Sequence, residues 1–379
     1  MGEKESVKKG MSKDQRILFL IPSSDIIPSG KVRVLNYLHY LREYSVNCKV
    51  LNYHHPFISK FCMRRNPKGR ILFLLYRITR RLLRYVDVVY QRWIEIKLIF
   101  SAKRYETILI QWVTPSRHFI RRLLKQNPNL IFDYDDAVFL ISEIDTNFIL
   151  AKSKVVIAGN QYLKDYAKTF NENVVVIPSS IPMHKFDLCR NKFERFQHSQ
   201  IVIGWIGSQS TLFHLEILKE VFETLGKKYK LQLKLIGVGT GRSPILPKGN
   251  LEIITIPFYN EEEMIRYAMS FDIGIGPLKE IQAARGKTGL KMLVYMAASL
   301  PVICSPIGGN LEVVMDGING FFASNPKEWF EKLSLLIENR SLREQLGNEG
   351  LSLVRGRYTT EHCSKLFYET LKTNFIENR

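Results

Sequence analysis

Short apolar runs alternate with longer stretches of helical periodicity along the whole chain. In the first half, six apolar runs are predicted to be β-strands, at residues 16–22, 48–53, 106–113, 130–136, 154–159 and 174–178. Helical periodicity occupies the stretches between them, at 31–44, 70–100, 116–125 and 160–169. This alternation is typical of βαβ units, in which the strands of one sheet run parallel.

The same alternation starts again after a polar passage that has no strand pattern. Its predicted strands are at 200–208, 231–237, 251–256, 271–278, 300–305 and 320–323, and its predicted helices at 211–228, 260–269, 289–299, 309–316, 326–338, 341–355 and 359–375. We therefore predict an α/β protein with two doubly wound, Rossmann-like domains that face each other across a cleft. Ligands of such sheets bind beyond the carboxyl ends of the strands.

The predicted domain boundaries follow from these two runs of elements, and a length of 379 residues is sufficient for two domains. The segments are a polar N-terminal tail (1–15), a first domain (16–182), a linker (183–199), a second domain (200–358) and a last helical segment (359–379).

Charge is strongly unbalanced, with 55 basic and 36 acidic residues and a net charge of +19. Such an excess predicts a polyanionic neighbour: nucleic acid, anionic lipid or a phosphorylated substrate.

Nine basic residues and no acid lie between Lys60 and Tyr85. If 70–86 is helical, five arginines share one arc of about 100° opposite most of the apolar residues. We predict that this basic helix, 60–86, binds an anionic membrane; the alternative is a surface helix whose apolar side faces the core. Nucleic-acid binding is disfavoured, because no stacking aromatics interleave the basic run.

Cysteine use and hydropathy bear on location. Five cysteines lie far apart with no CxxC pair, which argues against a zinc site or a disulfide framework and fits a reducing cytosol. No apolar run approaches the roughly 20 residues that cross a bilayer. We therefore expect a cytoplasmic protein, peripheral on the inner face of the cell membrane.

Two junctions in the second half have the composition of anion sites. In IVIGWIGSQST (201–211) an apolar strand runs into Gly207 and Ser208 and then a helix, an arrangement that favours an anion at the free N–H groups, or that is only a tight turn. In RGKTGLK (285–291) three cations surround the start of a helix, where they oppose the helix dipole. A bound pyrophosphate would neutralise this clash; solvated surface lysines are the alternative.

The first half offers candidates on the side of a second substrate. Asp135 and Asp136, with Asp133, end a predicted strand, where they could orient or deprotonate a hydroxyl or simply cap the next segment. The Ser29–Gly30 turn joins the first predicted strand to a helix and faces the cleft; as a plain connection it needs no further role. Asn160 is a helix N-cap or a ligand. We expect no metal site, because no histidine or further acid stands at ligand spacing.

Several of these segments also occur together in a known family. GWIGSQST, DIGIGPL, RGKTGLKMLVYMAASLPVICSPIGGN, DGINGFF and RYTTEHCSKLF resemble the retaining glycosyltransferases of family 4, which have the GT-B fold, and in particular the subgroup with GWIGS and RGKxGLKxLxYMA motifs. AGNQYLKDYA and FDYDDAVF resemble that subgroup's first domain. The resemblance implies sugar transfer from a nucleotide-diphosphate donor without a cofactor or metal. It also implies a lipid-linked glycan or polysaccharide acceptor, as in lipopolysaccharide biosynthesis, and a last helix that packs back on the first domain.

Residue roles carried over from the family concentrate on the second domain. The resemblance implies that Arg285 and Lys287 contact the diphosphate and act in catalysis, with Asp135 and Asp136 as the catalytic candidates of the first domain. It implies that the donor site is completed by Gly207, Ser208, Gly286, Thr288, Gly289, Leu290, Lys291 and Val294, and the acceptor side by Ser29, Gly30 and Asn160. Val294 departs from the family, which has a carboxylate or glutamine there for the ribose; Ala284 and Ser299 depart as well. The alternative function is thus a weakened or inactive nucleotide-sugar-binding partner subunit.

Overall fold

The chain divides into two compact units, each with its own parallel sheet. The computed structural model describes residues 15–23, 28–62, 70–192, 200–239, 243–245, 249–257 and 260–376. The first unit comprises Met1–Pro178 and Ser364–Arg379, and the second comprises Ser179–Cys363. The predicted α/β class with two doubly wound sheets is confirmed.

The sheet of the first unit has six parallel strands in the order β2-β1-β3-β4-β5-β6. Both of its faces are covered by helices, so its strands are near-continuous apolar runs rather than alternating ones. The strands are β1 Gln15–Ile21, β2 Val46–Asn52, β3 Thr107–Gln111, β4 Leu130–Tyr134, β5 Val155–Ala158 and β6 Val174–Val176.

The helices of the first unit differ from the predicted ones at three places. The predicted helix 31–44 is broken, because the backbone leaves the helical region at Val34 (φ −126°). Two helices, Pro56–Cys62 and Glu143–Lys152, have no counterpart in the prediction. The α-helices are Pro28–Arg33, Leu38–Glu43, Pro56–Cys62, Arg70–Ser101 (here the long helix), Arg117–Gln126, Glu143–Lys152 and Gln161–Lys168, with 3-10 turns at Leu35–Tyr37, Ala102–Arg104 and Val138–Leu140.

The sheet of the second unit also has six parallel strands, in the order β12-β11-β10-β7-β8-β9. Connections run outward in opposite directions from the central pair β7 and β10, so a crevice forms beyond the carboxyl ends of these strands. The strands are β7 Ile201–Ile206, β8 Leu231–Ile236, β9 Leu251–Ile256, β10 Ile273–Gly276, β11 Val302–Cys304 and β12 Gly320–Phe322.

The helices of the second unit begin before its first strand. Where a linker was expected, Met183–Lys192 is a helix, because Met183, Phe186 and Cys189 recur on one face and are buried in the core of this unit. The predicted helix 211–228 starts as a 3-10 helix, Gln209–Leu218. The α-helices are Met183–Lys192, Lys219–Lys228, Glu261–Met269, Gln282–Arg285, Leu290–Ala297, Asn310–Val313, Pro326–Glu338 and Arg340–Arg357. The last helix, Thr360–Leu371, begins in this unit and belongs to the first unit from Ser364 onward, as does the π-helical turn Lys372–Ile376 that follows it.

The last helix supplies aromatic side chains to the core of the first unit. Tyr368 stacks on Tyr44 with 4.3 Å between ring centroids, and Phe367 lies 6.1 Å from Phe19 of β1.

Within the described ranges, no helix is long and apolar enough to cross a membrane.

Candidate active site

The loop after β7 presents hydroxyl groups on a turn that only glycine fits. A Cβ at Gly207 would lie 2.2 Å from the indole of Trp205, which is fully buried beneath the loop. Ser208 then precedes the 3-10 helix Gln209–Leu218; its N–H donates to Thr211 Oγ1 at 3.2 Å, and its Oγ lies 2.8 Å from Ser210 Oγ. Because Ser208 and Ser210 are exposed, the turn offers hydroxyl groups to a ligand.

The loop at 285–291 leads into the helix Leu290–Ala297 through a left-handed glycine. Gly289 has φ +71°, and a Cβ there would lie 2.8 Å from the carbonyl oxygen of Gly309. The loop is held against this second segment by the N–H of Gly309, which donates to the carbonyl of Lys287 at 2.7 Å. The amides of Leu290 and Lys291 therefore begin the helix at a fixed position and precede its first backbone hydrogen bond, which the N–H of Met292 donates to the carbonyl of Gly289 at 2.9 Å.

These two loops, distant in sequence, lie side by side in the second unit. The amine of Lys291 lies 4.3 Å from the centroid of the Trp205 ring. The backbone N–H of Ile206 donates to the hydroxyl of Tyr295 at 2.7 Å, which joins the end of β7 to the helix Leu290–Ala297. The glycine–serine loop and the cationic loop thus form one site at the carboxyl end of β7.

Positive charge is concentrated at this site. Burial, and secondly the charge of Lys287, lowers the pKa of Lys291 to about 7. Burial and the charges of Lys291, Lys287 and Lys279 lower the pKa of His214 to about 4. The imidazole is therefore neutral at pH 7, and its Nδ1 accepts from the backbone N–H of Lys279 at 3.0 Å. Gathered cations that depress one another's proton affinity form a site for an anion.

The remaining predicted donor-side residues are placed less uniformly. Arg285 is exposed and paired with Glu280 at 2.8 and 2.9 Å. Thr288 Oγ1 lies 3.0 Å from Ser179 Oγ. Gly286 is buried and Leu290 half-buried beside them. Val294 is 5% exposed within the apolar core of the unit and brings no hydrogen-bonding group.

A second polar cluster lies in the first unit, at the carboxyl ends of the neighbouring strands β1, β3 and β4. Ser29 Oγ donates to Asp135 at 2.5 Å, and Gln111 Nε2 lies 2.5 Å from the same hydroxyl. Burial raises the pKa of Asp135 to about 6, although Arg33 opposes the shift. A carboxyl group in this range exchanges a proton near neutral pH, as a general base requires.

Asp133 is neutralised inside the protein rather than presented to a ligand. The Arg33 guanidinium donates to both of its oxygens at 2.5 to 3.1 Å and to the carbonyl of Ile177 at 2.8 Å. Burial opposes the charge on Arg33, but Asp133 more than offsets this and raises the pKa of the guanidinium. The pair therefore fixes the end of β4, and Asp135 and Asp136 with it.

The other first-unit candidates have local structural roles. Ser29 and Gly30 lie in the helix Pro28–Arg33, not in the turn that was expected, because Pro28 presets a helical φ at its start. Asn160 is the N-cap of Gln161–Lys168, and its Oδ1 accepts from Leu163 N–H at 2.9 Å. Asp136 Oδ1 accepts from the N–H of Ala137 at 2.9 Å.

Several residues of these clusters carry no signal that sequence reasoning used. Arg33, Gln111, Trp205 and Glu280 contact predicted site residues, and the charges of Lys291 and Lys287 act on His214. Gln111 and Trp205 lie in buried strands. A polar or very large side chain in such a strand was the signal that could have marked them as site residues. Across the described residues, no group of three or more His, Cys, Asp or Glu side chains could hold a metal ion.

Comparison with known proteins finds similarity to glycosyl transferases in the second unit. Residues 200–339 match the family described as "Glycosyl transferases group 1". The crystal structure of Anabaena Alr3699/HepE in complex with UDP and glucose superposes with a TM-score of 0.62 at 14% identity, over 95% of this chain and 100% of that one. The chain has the GT-B fold, and its second unit is similar to group 1 glycosyl transferases over residues 200–339. The cationic site lies within the matched residues.

Curated relatives match over shorter segments. The capsular polysaccharide biosynthesis glycosyltransferase CapM of Staphylococcus aureus is 24% identical over 240 residues, which are 58% of this chain and 60% of CapM. An uncharacterized glycosyltransferase of Methanocaldococcus jannaschii is 39% identical over 77 residues, 20% of this chain and 22% of that protein. The chain thus matches between about a fifth and three fifths of the length of these two relatives.

Proposed function

We propose that this protein is a glycosyltransferase that moves a sugar from a nucleotide-diphosphate donor to a lipid-linked glycan or polysaccharide, with retention of anomeric configuration. The observation that carries the proposal is the meeting of Lys287, Lys291 and the glycine–serine loop around Trp205, at the first-turn amides of Leu290–Ala297. Two linked phosphates are complementary to this charge and to these donors.

The relatives support the donor and acceptor classes. The Anabaena protein was crystallised with UDP and glucose, and CapM is described as an enzyme of capsular polysaccharide biosynthesis. The proposed chemistry needs neither a metal nor a protein nucleophile. The acceptor hydroxyl oxygen bonds to the anomeric carbon as the bond from that carbon to the phosphate oxygen breaks. The hydroxyl proton passes to the leaving diphosphate on the same face of the sugar.

In this mechanism the cations act on the leaving group. Negative charge accumulates on the diphosphate as the sugar–oxygen bond breaks, so Lys287 and Lys291 stabilise the transition state more than the bound donor. Arg285 joins them once a phosphate competes with Glu280 for its guanidinium. We assign the hydroxyl-orienting role to Asp135, because Ser29 and Gln111 hold its carboxyl group and its pKa lies near neutrality.

A second candidate function rests on Val294. The side chain that would bind the ribose hydroxyls is apolar and buried, so a nucleotide-sugar-binding subunit without turnover is the alternative. Losing a charged ribose contact costs about 1.5–3 kcal/mol of donor affinity, which is roughly tenfold or more.

Substitution of Lys287 tests the proposal. Lys287→Ala should lower the rate at which nucleoside diphosphate is released from donor and acceptor by roughly 100-fold, since it removes one preorganised charge. The matched control is Lys327→Ala, because Lys327 is an exposed lysine of the same unit on the helix Pro326–Glu338. Unfolding temperatures without ligand show that both variants fold.

A thermal-shift panel of uridine and guanosine diphosphates and their sugar conjugates identifies the donor, since a ligand that binds only the folded state raises the melting temperature. Wild-type release by Lys287→Ala would disprove the assigned site. Stabilisation by a diphosphate without release from any sugar conjugate would instead favour the binding subunit. The location that goes with the proposed acceptor is the cytoplasmic face of the cell membrane.

A further inference from the structure

The long helix, Arg70–Ser101, exposes a continuous apolar stripe to solvent. Nine large side chains form this exposed stripe, from 49% exposure at Ile78 to 80% at Phe100: Leu75, Ile78, Leu82, Tyr85, Val86, Val89, Trp93, Ile96 and Phe100. At 3.6 residues per turn they fall within an arc of about 100° and extend over about 38 Å of helix. An apolar surface of this length on a folded protein indicates a binding surface.

The exposed stripe is not the side by which the helix joins the fold. That side carries Ile94 and Leu98, which are 2% and 0% exposed in the core of the first unit. The helix therefore has two apolar sides. One of them, with Ile94 and Leu98, packs in the core of the first unit, and the other is the exposed stripe. This excludes, for the stripe, the alternative in which the apolar side of the helix simply faces the domain core.

The acidic side chains of the helix point away from solvent and accept hydrogen bonds from other residues of the protein. Between Leu75 and Ser101 the sequence has two acids, Asp87 and Glu95. Asp87 accepts hydrogen bonds from His55 N–H and Gln91 Nε2, both at 2.8 Å. Glu95 accepts from the hydroxyl of Tyr53 at 2.8 Å and from Arg92 at 2.7 Å. The exposed side of the helix is left apolar and cationic.

Cations follow the edge of the exposed stripe. Arg77, Arg81 and Arg84 are exposed and fall on one flank of it, and the amine of Lys97 lies 4.9 Å from the Trp93 ring on the other flank. A helix with apolar residues bordered by arginines and lysines matches the headgroup boundary of an anionic bilayer, where phosphates lie beside acyl chains.

We propose that the long helix lies flat on an anionic lipid surface, with the exposed stripe in the boundary between headgroups and acyl chains and Arg77, Arg81 and Arg84 on lipid phosphates. A second copy of the chain is less suited to the stripe, because both acids between Leu75 and Ser101 are hydrogen-bonded within the protein, whereas an anionic bilayer presents phosphates to the arginines. The inference supplies the surface that the membrane location in the proposed function requires. It extends the expected binding segment beyond 86 to Phe100.

Vesicle binding of the full-length protein tests this, without any sugar donor. Vesicles of phosphatidylcholine containing phosphatidylglycerol should sediment the protein, and phosphatidylcholine alone should bind it roughly tenfold less. Val89→Asp should weaken binding to the anionic vesicles by roughly tenfold or more, since it sets a charge in the middle of the stripe. The matched control is Ile144→Asp, because Ile144 is 64% exposed on another helix of the same unit, against 69% for Val89.

Trp93 reports the depth of the helix. Brominated lipid should quench its emission, and Trp93→Phe should abolish that part of the quenching, because the other three tryptophans lie outside the exposed stripe: Trp112 is half-buried against the core of the first unit, and Trp205 and Trp329 are buried in the second. Equal binding of the Val89→Asp and Ile144→Asp variants would overturn the proposal. The proposal would also be overturned if sedimentation velocity showed a dimer that the Val89→Asp substitution dissociates, and if vesicles bound neither the wild-type protein nor the variant.

The vesicle-binding result can be distinguished from a failure of the transferase proposal. Lys287→Ala should bind vesicles as the wild-type protein does, because it lies in the other unit and outside the stripe. Loss of vesicle binding in Val89→Asp with retained donor turnover supports the stripe, and vesicle binding without turnover leaves the stripe intact while the transferase fails.

Discussion

Replacing Lys291 with methionine tests whether its amine is held ready for an anion. Lys291 lies over the Trp205 ring beside Lys287, and the fold has withdrawn it from water without supplying a carboxylate partner in any described contact. A methionine keeps the length and apolar stem of the side chain and removes the charge. We expect the variant to be more stable than the wild type at neutral pH and to bind diphosphate more weakly.

The size of the stability effect follows from the pKa. The pKa of Lys291 is lowered from 10.5 to about 7, so the unfolded chain holds this proton more tightly than the folded protein does. Each pH unit between these values is worth up to about 1.4 kcal/mol, and the whole interval roughly 3–5 kcal/mol. Stability is therefore lost as pH falls from about 10.5 to 7, and the loss is complete below 7.

Urea unfolding at about pH 9 and about pH 7 measures this contribution. The free energy of unfolding of Lys291→Met should exceed that of the wild type by an amount that grows by roughly 2–3 kcal/mol between the two pH values. The matched control is Lys332→Met, because the amine of Lys332 also lies over a ring, 4.5 Å from the centroid of Phe321, but outside the site. Its difference from the wild type is the baseline against which the pH dependence of Lys291→Met is measured.

Calorimetry with inorganic pyrophosphate completes the test. Pyrophosphate should bind the wild type and Lys332→Met more tightly at about pH 7 than at about pH 9, because binding restores the proton on Lys291. Lys291→Met should bind less tightly and lack this part of the pH dependence. A stability difference that stays constant with pH, together with pyrophosphate binding equal in all three proteins, would refute the reasoning.

Two further predictions concern the first unit. Arg33→Met should lower the free energy of unfolding by about 3–5 kcal/mol in urea titrations, because it leaves the buried carboxylate of Asp133 without its partner. Asp135→Asn should remove the rise in transfer rate that the wild type shows as pH increases through about 6, where Asp135 loses its proton and its carboxylate can accept from the acceptor hydroxyl; a rise that persists in the Asn variant would exclude the hydroxyl-orienting role of Asp135.

The fold could be predicted because parallel strands buried on both faces are continuous apolar runs. LIFDY and VVIA, for example, are short enough to be strands and are bounded by polar residues. The helices that were not predicted are short, as Gln282–Arg285 is, or have weak periodicity, as Glu143–Lys152 has with Ile144 exposed. A pattern needs about two turns before it is distinguishable from a loop.

Which residues contact one another within the two sites could not be predicted, because these contacts depend on the order of the strands in each sheet and local sequence patterns do not encode that order. Arg33 and Asp133 are 100 residues apart and meet because β3 alone separates β1 from β4. Lys291 reaches Trp205 because β7 lies beside β10, whose crossover leads into the cationic loop. The loop residues themselves were predictable, since glycines and cations at a helix start conflict with ordinary helix chemistry.

The long helix shows a different limit of sequence reasoning. Its arginines and its apolar residues fall on separate arcs of a helical wheel, but a wheel does not say which apolar arc is buried. Ile94 and Leu98 supply the core contact near the end of the helix, so the larger apolar arc from Leu75 to Phe100 remains exposed. Only the packing of the helix on the sheet distinguishes the two arcs.

The buried valine at 294 bears on how a donor would be recognised. The polar groups described at the site are the amines of Lys287 and Lys291, the hydroxyls of Ser208 and Ser210, and helix-start amides, all suited to phosphate oxygens. Losing a ribose contact weakens the ground state and the transition state equally, whereas charge on the leaving diphosphate develops only in the transition state. We therefore expect Val294 to raise the donor concentration that is needed rather than to stop turnover, because the groups that act on the leaving diphosphate are all retained.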